Sequence, residues 1–133
     1  MEELPRVIVT GKKTLIERMI TNIIDNAIRY TPVGGSIKVS LFKVESFAEL
    51  TITDTGVGIP EEAIPAIFDR FYVVDKSRSK ENGGTGLGLS IVKWIADNHN
   101  IQIQVNSKPD QGTAFKFLFP LNWFSYKFSQ FMA

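Results

Sequence analysis

Between residues 82 and 91 the chain reads Asn-Gly-Gly-Thr-Gly-Leu-Gly-Leu-Ser-Ile, with four glycines inside six positions. The run opens directly into an apolar repeat at helical spacing, Leu87, Ile91, Val92 and Ile95. This is the strongest constraint in the sequence, because it fixes where a loop ends and the last helix begins. A glycine-rich turn feeding a helix start presents unpaired backbone N–H groups and the positive end of the helix dipole, a combination suited to phosphate. It is not a P-loop, since no lysine follows the glycines. Nor does a strand lead into it, as a dinucleotide fingerprint requires: Lys76 to Glu81 is polar and charged. A plain flexible loop with a glycine helix entry fits this segment alone equally well.

Composition narrows the field. The 133 residues suffice for one domain with a real core, and 44% hydrophobic with 22% charged residues is ordinary for a globular chain. A net charge of +1 gives no basic surface for nucleic acid. The absence of cysteine excludes disulfides and thiolate metal sites, and is compatible with the cytoplasm. No signal segment, apolar membrane-length run or internal repeat is evident.

Taken in order, Arg6 to Thr10 reads as a short strand. Lys13 to Thr31 is a long amphipathic helix, with Ile16, Ile20, Ile23, Ile24, Ala27 and Ile28 on its apolar side. Arg18, Asn22, Asp25, Asn26 and Arg29 take the other side, and Pro32 with Gly34-Gly35 ends it. Ser36 to Val44 and Ala48 to Asp54 alternate as two strands of an antiparallel hairpin joined through Glu45-Ser46-Phe47. Asp54 to Pro60 leaves the sheet through a second glycine pair into a short helix with apolar Ile64, Ile67, Phe68 and Phe71, interrupted by Pro65. Asp69 to Gly84 reads as a long functional or mobile loop, and Thr85 to Asn98 as the last helix. Strands follow around Ile101, Ile103 and Val105 and around Phe115, Phe117 and Phe119, with a turn from Lys108 to Gly112.

Two polar groups stand out. Asn22 and Asn26 lie one turn apart, so their amides project from one side of the helix, with Arg29 and Tyr30 a turn later. Asparagine is a poor helix former, so two in one helix need a reason. They are either a solvated face or amide oxygens that help hold Mg²⁺ carried by a nucleotide. Asp54, with Gly56 and Gly58, can accept from an exocyclic amine while the glycines admit a ring against the backbone; a capping aspartate in a turn fits equally well.

Together these segments are less ambiguous. Asn22-Ile23-Ile24-Asp25-Asn26-Ala27, Asp54-Thr55-Gly56-Val57-Gly58 and Gly84-Thr85-Gly86-Leu87-Gly88-Leu89 closely resemble, in order and spacing, the N box and the two glycine boxes of the histidine-kinase catalytic (HATPase) domain of the GHKL superfamily. Phe68-Asp69-Arg70-Phe71 resembles the intervening F box. The likeness runs from about Val7 to Pro120 and implies the Bergerat fold. That is an α/β two-layer sandwich with a mixed, mostly antiparallel sheet, about three helices on one face, and ATP under a lid. By the same resemblance, Asn26 is the principal Mg²⁺ ligand with Asn22 in support, and Arg29 reaches the phosphates. Asp54 accepts from the adenine amino group, Tyr30 lies against the base, and Gly56 and Gly58 line its pocket. Gly84, Thr85, Gly86, Leu87 and Gly88 cradle the phosphates, with Lys76 and Arg78 as lid contacts.

ATP-hydrolysing relatives of the gyrase and MutL types carry a water-activating glutamate one turn before the magnesium asparagine. Here that position is Asn22, and an amide is no general base near neutral pH. The resemblance therefore implies a kinase that saves the γ-phosphate for a protein nucleophile. The only histidine, His99, ends the last helix, where as a cation it would suit the dipole rather than act as phosphoacceptor. The expectation is a monomeric catalytic domain, residues 1–120, from the cytoplasmic part of a membrane-bound sensor kinase. Its partners would be a separate histidine phosphotransfer/dimerisation domain and, downstream, a response regulator. A serine kinase of the anti-sigma-factor type and a nucleotide-binding regulatory module without transfer activity are the alternatives. Residues 121–133 read as an aromatic tail in which Asn122 can cap a short helix, expected to pack back on the domain's own exposed sheet edge or flank or to dock on another chain or a membrane.

Overall fold

The computed structural model of the chain describes residues 7–70 and 88–121. In chain order its elements are helix α1 (Lys13–Tyr30), strands β1 (Ile37–Val44) and β2 (Phe47–Asp54), a 3-10 helix (Glu61–Ala66), helix α2 (Gly88–Asn98), and strands β3 (Gln102–Lys108) and β4 (Gly112–Pro120). The strands form one sheet in the order β1-β2-β4-β3, and every pairing is antiparallel. With the helices this is the expected two-layer α/β sandwich. No parallel pair occurs among the described strands. The expected lid beyond Arg70, and Lys76, Arg78, Gly84, Thr85, Gly86 and Leu87 with it, lie outside the described residues, as does the tail after Leu121.

Period-two alternation decides which sheet face meets the helices. Ala48, Leu50, Ile52 and Asp54 of β2 and Thr113, Phe115, Phe117 and Phe119 of β4 all point inward and are buried. The registers Leu50 opposite Phe117 and Ile52 opposite Phe115 bring these side chains into cross-strand contact. Across from them, α1 buries Met19, Ile23 and Ala27 and α2 buries Val92, Ile95 and Ala96. Each large side chain removed from water here contributes about 1.5–3 kcal/mol.

Several expectations shift in detail. The buried stripe of α1 is centred on Met19, whereas Ile28 is exposed. The helix stops at Tyr30 because Thr31 precedes Pro32 and takes extended backbone, φ −106° and ψ 114°. The expected strand from Arg6 to Thr10 is, among the described residues, a single bridge between Val9 and Leu121. The segment after Pro60 is a 3-10 rather than an α-helix, because Pro65 lacks the N–H that an α-helical ladder needs. The β1–β2 turn is tighter than expected, with Phe47 already in the strand opposite Val44. His99 also differs. Its Nε2 accepts from Lys12 N–H at 3.1 Å while Nδ1 bonds Ile95 O at 2.8 Å. A ring that accepts on Nε2 carries its proton on Nδ1 and is neutral, so His99 ties the start of α1 to the end of α2 instead of serving the dipole as a cation.

Candidate functional site

The inner end of β2, the last turn of α1 and the β3–β4 turn meet around Asp54. The Asp54 carboxylate is buried, and its Oδ1 accepts from Gly56 N–H at 2.9 Å and from Thr113 N–H at 3.3 Å. The first bond is local to the turn. The second crosses to β4, because the register sets Thr113 opposite Asp54. Burial pushes the Asp54 pKa up, opposed by the hydrogen bonds from Gly56 and Thr113. With Oδ1 so occupied, Oδ2 accepts from no described residue and is the oxygen left to receive an N–H from outside the protein.

The loop after Asp54 is fastened on both sides. Val57 N–H donates to Tyr30 O at 3.1 Å, and Val57 O accepts from Asp110 N–H at 2.7 Å. A Cβ on Gly56 would lie 2.3 Å from Tyr30 O, so only glycine lets the loop close on the helix end. Gly58 has φ +72°, and a Cβ there would meet Lys108 O at 2.0 Å. Both glycines are thus required by close backbone approach around the carboxylate.

Ser107, Asp110 and Thr113 belong to this site and escaped the sequence reading. The Ser107 hydroxyl accepts from Ile59 N–H at 2.8 Å and donates to Gly112 O at 2.9 Å. It also bonds the Thr113 hydroxyl at 2.7 Å. A hydroxyl has one proton, so the donation to Gly112 makes Thr113 the donor in the last bond. One signal could have found Ser107: it continues the inward series Ile103, Val105, where a polar residue needs a buried partner. Thr113 could not be found without the strand register.

On α1, Asn22 and Asn26 are half-buried at the border of the stripe formed by Met19, Ile23 and Ala27. Neither amide has a hydrogen-bond partner among the described residues. Arg29 and Tyr30 are half-buried in the last turn. The structure thus joins Tyr30, Asp54, Gly56 and Gly58 directly. It sets Asn22, Asn26 and Arg29 on the helix that ends at this loop, with no described hydrogen bond linking their side chains to it. Gly88 begins α2, exposed, with open space around it. Among the described residues no group of three or more acidic, histidine or cysteine side chains could cage a bare cation. The donors present, two amide oxygens, suit a magnesium ion that brings phosphate oxygens with it.

A two-layer sandwich with a carboxylate at the inner end of a strand and paired asparagines on the facing helix defines the class of GHKL-type ATP-binding domains. Comparison with known proteins agrees. The family described as histidine kinase-, DNA gyrase B- and HSP90-like ATPase matches residues 11–122. The chain belongs to that family, as a catalytic domain of the sensor-histidine-kinase type. It is 44% identical over 108 residues to the sensor histidine kinase YkoH of Bacillus subtilis, covering 81% of this chain and 23% of that protein. It is 42% identical over 112 residues to the sensor-like histidine kinase SenX3 of Mycolicibacterium smegmatis, covering 84% and 29%. Among solved structures, the mycobacterial sensor histidine kinase MprB superposes with a TM-score of 0.76 at 35% identity, covering 86% of this chain and 77% of that one. The chain thus spans about a quarter of the length of the curated relatives it matches. No helix among the described residues is long and apolar enough to cross a membrane.

Proposed function

We propose that this domain binds Mg·ATP and donates the γ-phosphate to a histidine on a separate dimerisation domain, as the catalytic part of a two-component sensor kinase. The observation that carries the reading is the Asp54 carboxylate, buried and held through one oxygen by two backbone N–H groups, with the second oxygen left to accept. An acceptor so fixed suits a base that offers an amino group, and membership of an ATPase family makes that base adenine. In this reading Tyr30 lies against the base, and Gly56 and Gly58 line its pocket. Asn26 and Asn22 supply amide oxygens to the metal, and Arg29 supplies positive charge toward the phosphates. Magnesium, when bound with the nucleotide, neutralises phosphate charge. Positioning and charge stabilisation are what phosphoryl transfer chiefly asks of a protein.

Asn22 favours transfer over hydrolysis, since it supplies no base to activate water. The acceptor histidine, the response regulator downstream and a membrane-bound sensor region belong to the same proposal, which places the domain in the cytoplasm. Gly84, Thr85, Gly86 and Leu87, with Gly88, serve the phosphates in it, and Lys76 and Arg78 contact them from the lid.

Calorimetry with ADP, with and without Mg²⁺, tests the assignment. Asp54→Ala should weaken binding under both conditions, whereas Asn26→Ala should weaken it only when Mg²⁺ is present. Equal metal dependence in the two variants overturns the division of roles. Transfer of labelled phosphate from ATP to a separately supplied histidine domain, but not to an anti-sigma antagonist, tests the acceptor.

A further inference from the structure

The sheet face turned away from the helices is divided. Toward one end it carries Lys38, Thr51, Thr53, Lys116, Gln104 and Asn106. At the other end, the registers Val44–Phe47–Pro120 and Phe42–Glu49–Leu118 gather five apolar side chains on three adjacent strands. Phe42, Val44 and Phe47 are 60%, 46% and 38% exposed, and neither helix covers them. Three neighbouring large apolar residues on one strand pair form a patch rather than scattered exposure.

We infer that this patch is the docking surface for the chain's own C-terminal segment, residues 122–133. The described chain ends beside it. Pro120 is the last residue of β4 and pairs with Phe47 inside the patch. Leu121 is then pinned to the same corner, its N–H donating to Ser46 O at 2.9 Å in the β1–β2 turn and its backbone bridging Val9. The following twelve residues include five aromatic ones, Trp123, Phe124, Tyr126, Phe128 and Phe131, against a single charge, Lys127. Crossing from β4 to β1 takes two strand spacings, about 10 Å. About three extended residues or seven helical ones cover that distance, so twelve are ample. Attachment a few residues away also gives the tail a local concentration on the order of millimolar, which a second copy or a free partner must exceed to displace it. The patch lies on the face opposite Asp54, so docking leaves nucleotide binding untouched.

Tryptophan fluorescence of the full chain tests this, using Trp94→Phe so that Trp123 is the sole reporter. Trp123 should emit as a shielded indole, with acrylamide quenching several-fold slower than in the urea-unfolded chain and independent of protein concentration. Phe42→Glu in that background should shift emission to the red and restore fast quenching. Val44→Glu is the second variant should the first not fold, as judged by far-ultraviolet circular dichroism. Lys38→Glu, on the polar half of the same face, should change nothing. Water-like emission from Trp123 in the parent, or shielding that survives both patch variants, overturns the inference. So does shielding that develops only as concentration rises, which makes a second copy the occupant. Shielding that needs phosphatidylglycerol vesicles overturns it likewise, in favour of a membrane surface.

Discussion

Asp54 and Asn26 are both polar residues bordering the core, yet the protein treats them in opposite ways. The aspartate is buried and braced by backbone donors from its own turn and from β4. The asparagine is half-exposed on a helix, with no described partner. Removing the first therefore damages the framework as well as the site. Removing the second should cost the framework nothing. On the proposed function, the contrast separates a base acceptor built into the fold from metal-holding amides that would acquire their partners only from a ligand.

The largest effect is expected at Asp54. Asp54→Ala leaves two N–H groups in the interior without an acceptor, each costing about 1–3 kcal/mol. Urea denaturation should then show a loss of about 2–6 kcal/mol beside the loss of nucleotide binding. Asp54→Asn keeps an acceptor for Gly56 and Thr113 and removes a desolvated charge, so its stability should stay within about 1 kcal/mol of the parent. Its affinity for adenine nucleotides should still fall, since the new amide presents a donor to the base's own amino donor.

The charge also gives a pH signature. Burial raises the Asp54 pKa above its ordinary 3.8, so over the window just above that value the folded state holds more protons than the unfolded. Asp54's contribution to stability therefore falls as pH rises through the window and is flat above it. Comparing stability against pH for the parent and Asp54→Asn isolates this contribution, which the variant lacks. A contribution that instead rises with pH would mean that the hydrogen bonds outweigh the desolvation.

Next in size is Ser107→Ala. It removes the acceptor for Ile59 N–H and the bonds to Gly112 and Thr113, while filling nearly the same space. A loss of about 1–2 kcal/mol is expected on unfolding. Affinity for adenosine nucleotides should drop about equally with and without Mg²⁺, because the loop carrying Gly56 and Gly58 is loosened on its β3 side. A change confined to Mg²⁺-loaded nucleotide would place Ser107 on the wrong side of the comparison.

What was legible in the sequence divides along the same line. Asn22, Asn26, Asp54, Gly56 and Gly58 stand in short ordered motifs and could be singled out as candidates, and the β1–β2 hairpin follows directly from alternation. The long-range bonds of the braces could not be read this way. Thr113 reaches Asp54 across 59 positions of sequence, and Ser107 reaches Ile59 across 48. Such contacts depend on strand register, which no local pattern encodes. Helical periodicity placed the apolar side of α1 but passed over Met19, the flexible residue at its centre, and included Ile28, which is 59% exposed. It also set Asn22 and Asn26 with the solvated residues Arg18 and Asp25, although they lie at the half-buried border.

The smallest change in stability is expected from Asn26→Ala, and its sign is the sharpest test of the contrast. Asparagine inside a helix is less favourable than alanine by up to about 0.7 kcal/mol, because its amide competes for backbone hydrogen bonds. With no described protein partner for the Asn26 amide, its removal forfeits no hydrogen bond to those residues. Thermal unfolding without ligand should therefore show Asn26→Ala equal to the parent or slightly more stable, and Asn22→Ala likewise. With Mg·ADP present the order should reverse, since the parent gains RT ln(1 + [L]/Kd) from a ligand the variant binds weakly. A ligand-free loss above about 1 kcal/mol would show that the amide has a structural partner, on the scale of a buried hydrogen bond. Asn26 would then belong with Asp54, and the division between framework and ligand-holding residues would not stand.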